Sequence, residues 1–434
     1  MDIRDLTGKS VCILGYGKEG QAMTKALQEF AKGCKITIAD KNEELRIKNY
    51  ESQVGEDYLN DLDRFDVLIK SPGIPMNSKL QEVRAKLTTP TQIFFDSIQD
   101  SGAIVVGVTG SKGKSTTSSL IHQILRAQSS KLKAHSYLVG NIGDPAIAHL
   151  SDAKPGATFV CELSSYQLMD LTVSPHIAVV TSFFPDHLDY HGSLEAYKEA
   201  KKHIARFQKE GNVVFFAGNS EGAREIAMEG KGKKVPFIPK DAPVALSETK
   251  LIGEHNLSNI AGAFLVSQEL KIPKEAAMEA IRTFTPLPHR LQSVGVRHGI
   301  EWIDDSISTT PESAIAALDA LGERVAVILL GGTDRGYDFT LLAERLKISK
   351  VTTAILFPDT GSRIKEAIEE SGAKIRCFEV KNMEEAVGIA RQEARNKKQE
   401  AKKPIVLLSP ASPSYNMYKN FEERGNAFVK YMNQ

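Results

Sequence analysis

Residues Gly107-Val108-Thr109-Gly110-Ser111-Lys112-Gly113-Lys114-Ser115-Thr116 constrain this chain more than any other stretch. They follow the apolar run Ile104-Val105-Val106 and precede a helical pattern from Thr117 to Arg126. Strand, glycine-rich turn, lysine, hydroxyl and helix in that order form a phosphate cradle. Backbone N–H groups and the helix N-terminus face the anion, Lys114 adds charge, and Ser115 can ligate Mg²⁺. The common phosphate-loop pattern is G-x-x-x-x-G-K-[ST], and Gly110-x-x-Gly113-Lys114-Ser115 is a shortened form of it. The alternative is a flexible loop with incidental lysines; the flanking strand and helix argue against it.

At 434 residues the chain exceeds one ordinary core, and two or three domains are expected. A hydrophobic fraction of 41% and a charged fraction of 25% describe an ordinary globular protein. The formal net charge of +1 gives no global pull toward nucleic acid or anionic membrane, so any anion site has to be local. Cys12, Cys34, Cys161 and Cys377 are scattered without a Cys-x-x-Cys pair, which fits a reducing compartment. The N-terminus reaches no long apolar run, and no stretch approaches the roughly 20 apolar residues of a membrane span. The expectation is a cytoplasmic protein with no membrane insertion and no nucleic-acid partner.

Near the N-terminus, Val11-Cys12-Ile13-Leu14 reads as a strand, followed by Gly15-Tyr16-Gly17-Lys18-Glu19-Gly20 and a helix. A second strand, Lys35 to Ala39, ends at Asp40. This G-x-G-x-x-G unit with its distant acid fits NAD binding, or a βα turn that merely needs small residues. A further strand, Asp66 to Lys70, runs into the rigid turn Ser71-Pro72-Gly73-Ile74-Pro75, well placed to shape a ligand edge.

Beyond the phosphate loop, Gly140 and Gly143 flank Asn141 where backbone can approach a ligand closely. The strand Ala157 to Cys161 ends in Glu162, a natural Mg²⁺ partner when Lys114 and Ser115 are in the same chain. The strand His176 to Thr181 opens into Asp186-His187-Leu188-Asp189-Tyr190-His191, at the strand end where open α/β sheets keep their chemistry. Ser193 is suited to cap a helix reaching about Phe207. Its inward stripe holds Leu194, Tyr197, Ile204 and Ala205, and Lys201 falls within it; periodicity alone favours a snorkelling lysine. Asn256 and Asn259 sit one turn apart and could present amides to a base or ribose.

Pro286 to Arg290 reads as a linker. After it come strands at Ile300 to Ile303, Val325 to Leu330, Val351 to Leu356 and Pro404 to Leu408, with a weaker one around Cys377. Helical patterns between them imply a mainly parallel sheet. Glu393 to Lys403 reads as a solvated charged stretch. The expected class is α/β in three domains: a Rossmann-like one over 1–99, a central P-loop ATPase-type one over 100–286, and a Rossmann-like one over 287–434.

The constellation of Thr109 to Thr116, Glu162-Leu163-Ser164-Ser165-Tyr166-Gln167, Asp186-His187-Leu188-Asp189, His255-Asn256, His289-Arg290, Asp305-Ser306 and Gly331-Gly332 resembles the Mur ligases. These are the cytoplasmic ATP-dependent amide ligases of peptidoglycan precursor synthesis. Ser71-Pro72-Gly73-Ile74, Ser409-Pro410-Ala411-Ser412 and Lys419 to Gly425 resemble the branch that adds glutamate to UDP-N-acetylmuramoyl-L-alanine.

The resemblance implies ATP and Mg²⁺ as cofactors and an acyl-phosphate route. It implies that the first domain holds the uridine diphosphate of the acceptor rather than NAD, through Gly15, Tyr16, Asp40, Ser71, Pro72 and Gly73, with help from Asn141. Gly110, Ser111, Lys112, Gly113, Lys114, Ser115 and Thr116 would bind ATP, with Asn259 near adenine, Arg290 near the γ-phosphate and Asp305 near the ribose. Metal ligands would be Ser115, Glu162, His187 and a carbamylated Lys201, so that Lys114, His187, Lys201 and Arg290 form the catalytic set. Thr309, Arg335, Ser414 and Phe421 match positions that contact the incoming amino acid. A monomer with three-domain closure is expected.

Two positions depart from the D-glutamate pattern: Ile307 follows Asp305-Ser306 where a lysine is usual, and Arg335 replaces another usual lysine. Arginine is not a neutral exchange for lysine at a carboxylate site. A related branch adds L-glutamate to the same acceptor, and these departures could mark it. A folylpolyglutamate-synthase-like ligase shares the phosphate loop but would not be expected to begin with this Rossmann-like domain. An NAD-dependent dehydrogenase would leave Lys114 unused.

Overall fold

The apolar runs read from the sequence become the inner strands of three sheets. The computed structural model describes residues 1–45, 47–132, 135–395 and 403–434. They form two compact units: Met1–Thr249 with His255–Phe284, and Lys250–Glu254 with Thr285–Gln434.

The first unit holds two sheets. In one, β1 (Ser10–Leu14), β2 (Lys35–Asp40), β3 (Glu51–Val54), β4 (Val67–Lys70) and β5 (Leu87–Thr88) lie in the order β3-β2-β1-β4-β5. In the other, β6 (Ile104–Thr109), β7 (His135–Gly140), β8 (Ala157–Glu162), β9 (Ile177–Val180), β10 (Val213–Ala217) and β11 (Lys233–Phe237) lie in the order β11-β10-β9-β6-β8-β7. Every pairing in both sheets is parallel. Parallel neighbours need crossovers, which cover the faces with helices and leave the inner strands buried and largely apolar. Accordingly β8 and β9 are buried at every position.

The second unit holds β12 (Gln292–Arg297), β13 (Ile300–Asp304), β14 (Val325–Gly332), β15 (Thr353–Asp359), β16 (Arg376–Glu379) and β17 (Ile405–Leu408), in the order β12-β13-β17-β14-β15-β16. Only the β12–β13 pairing is antiparallel among them.

The strands that the sequence did not reveal, β3, β5, β7, β11 and β12, all lie at sheet edges. An edge strand has less surface to bury, so it lacks the apolar run that marks an inner one. Pro236 inside β11 hides that strand further, since proline is tolerated in sheets chiefly at an edge. The helix after the phosphate loop starts earlier than expected, at Lys114 itself, and runs to Leu132. Within the supposedly solvated stretch, Glu393 is buried, ion-paired with Arg376 and accepting from Thr353 Oγ1 at 3.2 Å, so the charge run begins as structure. Residues 396–402 lie outside the described set.

Candidate active site

Strand register brings the site together. β6 lies between β8 and β9, pairing Val108 with Glu162 and Thr109 with Val180, while β7 places Gly140 beside Glu162. The C-terminal ends of four adjacent strands therefore meet at the phosphate loop, where a parallel sheet leaves its ligand crevice.

The loop's glycines are sterically required. Gly110 and Gly113 adopt φ +148 and +88. A Cβ at Gly110 would overlap Thr181 Oγ1, and one at Gly113 would overlap Asn259 Oδ1. The segment after β9 clasps the turn. Ser111 N–H donates to the Ser182 carbonyl at 3.0 Å, and Lys112 N–H donates to Ser182 Oγ at 2.9 Å. Two loop amides are thus committed inside the protein rather than to an anion. Ser111 Oγ donates to the Phe184 carbonyl at 2.8 Å and lies 3.2 Å from the Tyr197 hydroxyl.

Lys114 and Lys201 converge on this turn. Lys114 Nζ donates to the carbonyls of Gly110 and Ser111 at 2.9 and 3.0 Å. Ser193 caps the helix Leu194–Arg206, its Oγ accepting from Ala196 N–H at 3.1 Å. That helix presents Lys201 inward at 1% exposure, so the snorkelling expected from periodicity is wrong. Leu194, expected inward, is exposed instead. Lys201 Nζ donates to the Gly110 carbonyl at 3.0 Å and sits 4.7 Å from the Tyr197 ring centre. Burial first, and then the charge of Lys114, holds the Lys201 amine well below its ordinary range; Asp186 and Glu162 oppose that. Its neighbours in the sequence behave differently: Lys198 and Lys202 pair with glutamates on the outer side.

Glu162 is 1% exposed. Its Oε1 accepts from Asn141 Nδ2 at 3.0 Å, and its backbone carbonyl accepts from Asn141 N–H at 2.9 Å. Its Oε2 is buried without a hydrogen-bond partner. A buried carboxylate oxygen left unsatisfied beside a phosphate loop fits a hard cation. Among the described residues, no group of three or more His, Cys, Asp or Glu side chains forms a metal cage by itself. A site here would need Ser115, phosphate oxygens or a modified Lys201 to complete it.

His187 stands at φ +53, in the left-handed region, immediately before the short helix Leu188–His191. Its ring lies 5.2 Å from Tyr166 and 6.1 Å from Tyr197, and Nε2 is 3.8 Å from Asp186 Oδ2. The side chains of Leu188 and Asp189 lie outside the described set. Asn259 and Asn256 are buried against each other, with Asn259 Nδ2 donating to Asn256 Oδ1 at 2.9 Å, while Thr117 Oγ1 donates to Asn259 Oδ1 at 3.3 Å.

In the first sheet, the glycine turn and the Ser71 turn pack together. Asp40 Oδ2 accepts from Tyr16 N–H at 2.7 Å and its Oδ1 from Asn42 N–H at 2.8 Å, so this carboxylate orders backbone. Ser71 Oγ donates to the Gly15 carbonyl at 3.0 Å, with Pro72 and Gly73 following in the same turn. A Cβ on Gly20 would overlap the Gly15 carbonyl oxygen, the physical reason for the third glycine.

In the second unit, Asp305 is buried at the end of β13 and accepts from Ser308 Oγ at 2.5 Å, Ser409 Oγ at 2.8 Å and Leu291 N–H at 3.1 Å. Burial raises it to about 6, against those three hydrogen bonds and the charge of Arg290. His289, at φ +60 just before Arg290, has Nδ1 2.7 Å from Asp304 Oδ2. Ser414 is buried, Thr309 and Phe421 are half-buried, and Arg335 is exposed with its guanidinium 5.7 Å from the Tyr415 ring centre.

The sequence reading missed Arg424. It is buried, lowered to about 10 chiefly by burial, and donates to Ser306 Oγ at 3.1 Å and to the carbonyls of Ser306 and Ser412 at 2.9 Å each. Arg424 thereby ties together the segments that carry Thr309, Ser414 and Phe421. Its inward place on the helix Phe421–Asn433, in line with Phe428, is the signal that could have found it.

Residues 108–240 match the family described as the Mur ligase middle domain, and residues 289–411 match the Mur ligase, glutamate ligase domain. The UDP-N-acetylmuramoylalanine--D-glutamate ligase of Clostridium kluyveri is 33% identical over 460 aligned positions, covering 98% of this chain and 96% of that protein. The protein of the same name from Symbiobacterium thermophilum is also 33% identical, with 96% of each chain covered. Among solved structures, the MurF ligase from Thermotoga maritima in complex with ADP gives a TM-score of 0.59 at 15% identity, covering 99% of this chain and 96% of that one. At that identity the likeness speaks to the fold alone.

Proposed function

The chain belongs to the Mur ligase family, and from that premise we propose that it adds D-glutamate to UDP-N-acetylmuramoyl-L-alanine at the expense of ATP. The observation that carries the reading is the convergence at the phosphate loop. Two lysines meet at the Gly110 carbonyl, and a buried, unsatisfied Glu162 oxygen supports a cation site at the end of the adjacent strand.

A carboxylate is a poor electrophile toward an amine. Its activation proceeds by attack of the alanyl carboxylate oxygen on the γ-phosphorus of ATP, giving an acyl phosphate and ADP. The glutamate amine then adds to the acyl carbon and loses a proton, and the tetrahedral intermediate expels phosphate. The first step brings two anions together. Lys114 and Arg290 would offset that repulsion at the transferring phosphoryl group. Mg²⁺, held by Ser115, Glu162, His187 and Lys201 as its carbamate, would supply further positive charge to the phosphates. An unprotonated Lys201 can add CO₂ with loss of a proton, and the resulting anion would sit favourably beside the Lys114 ammonium.

In this reading residues 1–99 hold the acceptor, 100–286 the nucleotide and 287–434 the incoming amino acid. Gly15, Tyr16, Ser71, Pro72, Gly73 and Asn141 face the acceptor, and Asp40 acts by ordering the backbone of the glycine turn at Tyr16. Gly110 to Thr116 and Asn259 serve ATP, and the resemblance assigns Arg290 and Asp305 to nucleotide contact as well. Thr309, Arg335, Ser414 and Phe421 receive glutamate. The protein would act as a cytoplasmic monomer on small-molecule substrates. No described helix is long and apolar enough to cross a membrane.

A second reading, L-glutamate on the same acceptor, is favoured by Ile307 and by Arg335. One assay tests both: the purified chain with ATP, Mg²⁺, UDP-N-acetylmuramoyl-L-alanine and labelled D- or L-glutamate. ATP-dependent incorporation of the D-isomer is the expected result. Incorporation of the L-isomer alone selects the second reading, and incorporation of neither sinks both.

A further inference from the structure

Lys70 takes no part in the reaction derived above, yet it is among the most deeply buried side chains of the first unit, at 1% exposure. It ends β4 and immediately precedes Ser71. Its Nζ donates to the Ile74 carbonyl at 3.2 Å and lies 3.4 Å from Asp170 Oδ2. Lys70 is the desolvated partner, since the Asp170 side chain stays 26% exposed, and an apolar residue of similar volume would fill the Lys70 position without the cost of burying a charge. What the pair does provide is direction, fixing one loop against another.

The partner's place gives that direction a meaning. Asp170 closes the segment that starts at Glu162 and passes through the short helix Ser165–Leu168. The same turn receives a second tie, since the Tyr190 hydroxyl points at the carbonyls of Pro72 and Ile74 from 3.5 and 3.4 Å. Tyr190 follows His187 by less than one helical turn and packs edge-on to Tyr166, with ring centres 4.4 Å apart. On its other side the turn is bound to Gly15 through Ser71 Oγ. Contacts thus run from the glycine turn of the first sheet, through Ser71 to Ile74, to the segments that carry Glu162 and His187.

Resting on the reading of the first sheet as the acceptor site, we propose that Lys70 is a positioning residue. Anchored by Asp170, its ammonium sets the Ser71–Ile74 turn at a fixed distance from the Glu162–Asp170 segment. The acceptor held by that turn then presents its carboxylate at the right distance from the phosphate loop.

The test uses the full chain. Lys70→Met keeps the length of the side chain but removes the donor. Lys70→Met/Asp170→Asn also removes the carboxylate that would otherwise be left unpaired, so that folding does not confound the result. Both variants are expected to raise KM for UDP-N-acetylmuramoyl-L-alanine by about tenfold or more, while Kd for ADP stays within about twofold and Lys70→Arg recovers most of the acceptor KM. In the folded double variant, an acceptor KM within about twofold of the unaltered chain overturns the proposal. An equal loss of ADP affinity does so too, because it marks a general structural role. If the unaltered chain does not turn over this acceptor at all, the functional reading fails, and the proposal fails with it.

Discussion

Lys114 and Lys201 donate to the same oxygen, the Gly110 carbonyl, at 2.9 and 3.0 Å. Lys114 belongs to the loop's own helix, whereas Lys201 reaches the turn from the helix Leu194–Arg206. Burial first, and then repulsion from the Lys114 ammonium on the same acceptor, drives the deeper Lys201 amine toward its neutral form.

Lys114→Ala should lower ligase turnover by about 10²–10³-fold or more, the cost of removing a group aimed at charge that develops in the transition state. The thermal unfolding curve should change little, because Lys114 is only half-buried. ATP-dependent product formation near the normal rate would falsify the assignment of the phosphate loop.

Lys201 should carry a carbamate when nucleotide and Mg²⁺ are bound. A crystal structure of that complex is the appropriate measurement, since the modification is labile in a mass spectrum. A bare amine in clear density, together with full activity, counts against the proposed metal set. Lys201→Ala should lose activity to a similar degree as Lys114→Ala.

Arg335→Ala should raise KM for glutamate by roughly ten- to a hundredfold, the worth of a charge-assisted pair. KM for the acceptor should not move. An unchanged glutamate KM would place the amino-acid carboxylate elsewhere.

Asp305 makes stability depend on pH. Its folded value of about 6 lies above the roughly 3.9 of an unfolded aspartate, so the folded state binds this proton more tightly. The associated stability, on the order of 3 kcal/mol, is fully present below about pH 4 and is lost as pH rises through about 6. Asp305→Asn should flatten that slope in denaturant titrations at a series of pH values. A slope identical to that of the unaltered chain would show that another group is responsible.

Gly20→Ala should destabilise the first unit by about 1–3 kcal/mol, because its Cβ would overlap the Gly15 carbonyl oxygen and force the turn apart. A melting temperature equal to that of the unaltered chain would mean that the turn yields without cost.

The inner strands were legible in the sequence because apolar residues dominate them, most plainly in β9 and β14. The edge strands were not, since β7 reads His135-Ser136-Tyr137-Leu138-Val139-Gly140 and buries only one residue fully. The phosphate loop could be read because glycine, lysine and hydroxyl are adjacent in the chain. The tie of Lys70 to Asp170 could not, because the two are distant in sequence; helical periodicity puts Arg424 inward, but its partner Ser306 is equally out of local reach.

By itself the sequence determined the α/β class, the phosphate loop and the family, because each is written in local spacing or in motifs with fixed residue order. Tertiary structure alone decided the fate of Lys201. Helical periodicity put it on an inward face but could not say whether its amine escapes to solvent. The answer depends on Gly110 and Tyr197 closing over it, and that enclosure arises only when β6 and the helix Leu194–Arg206 pack together.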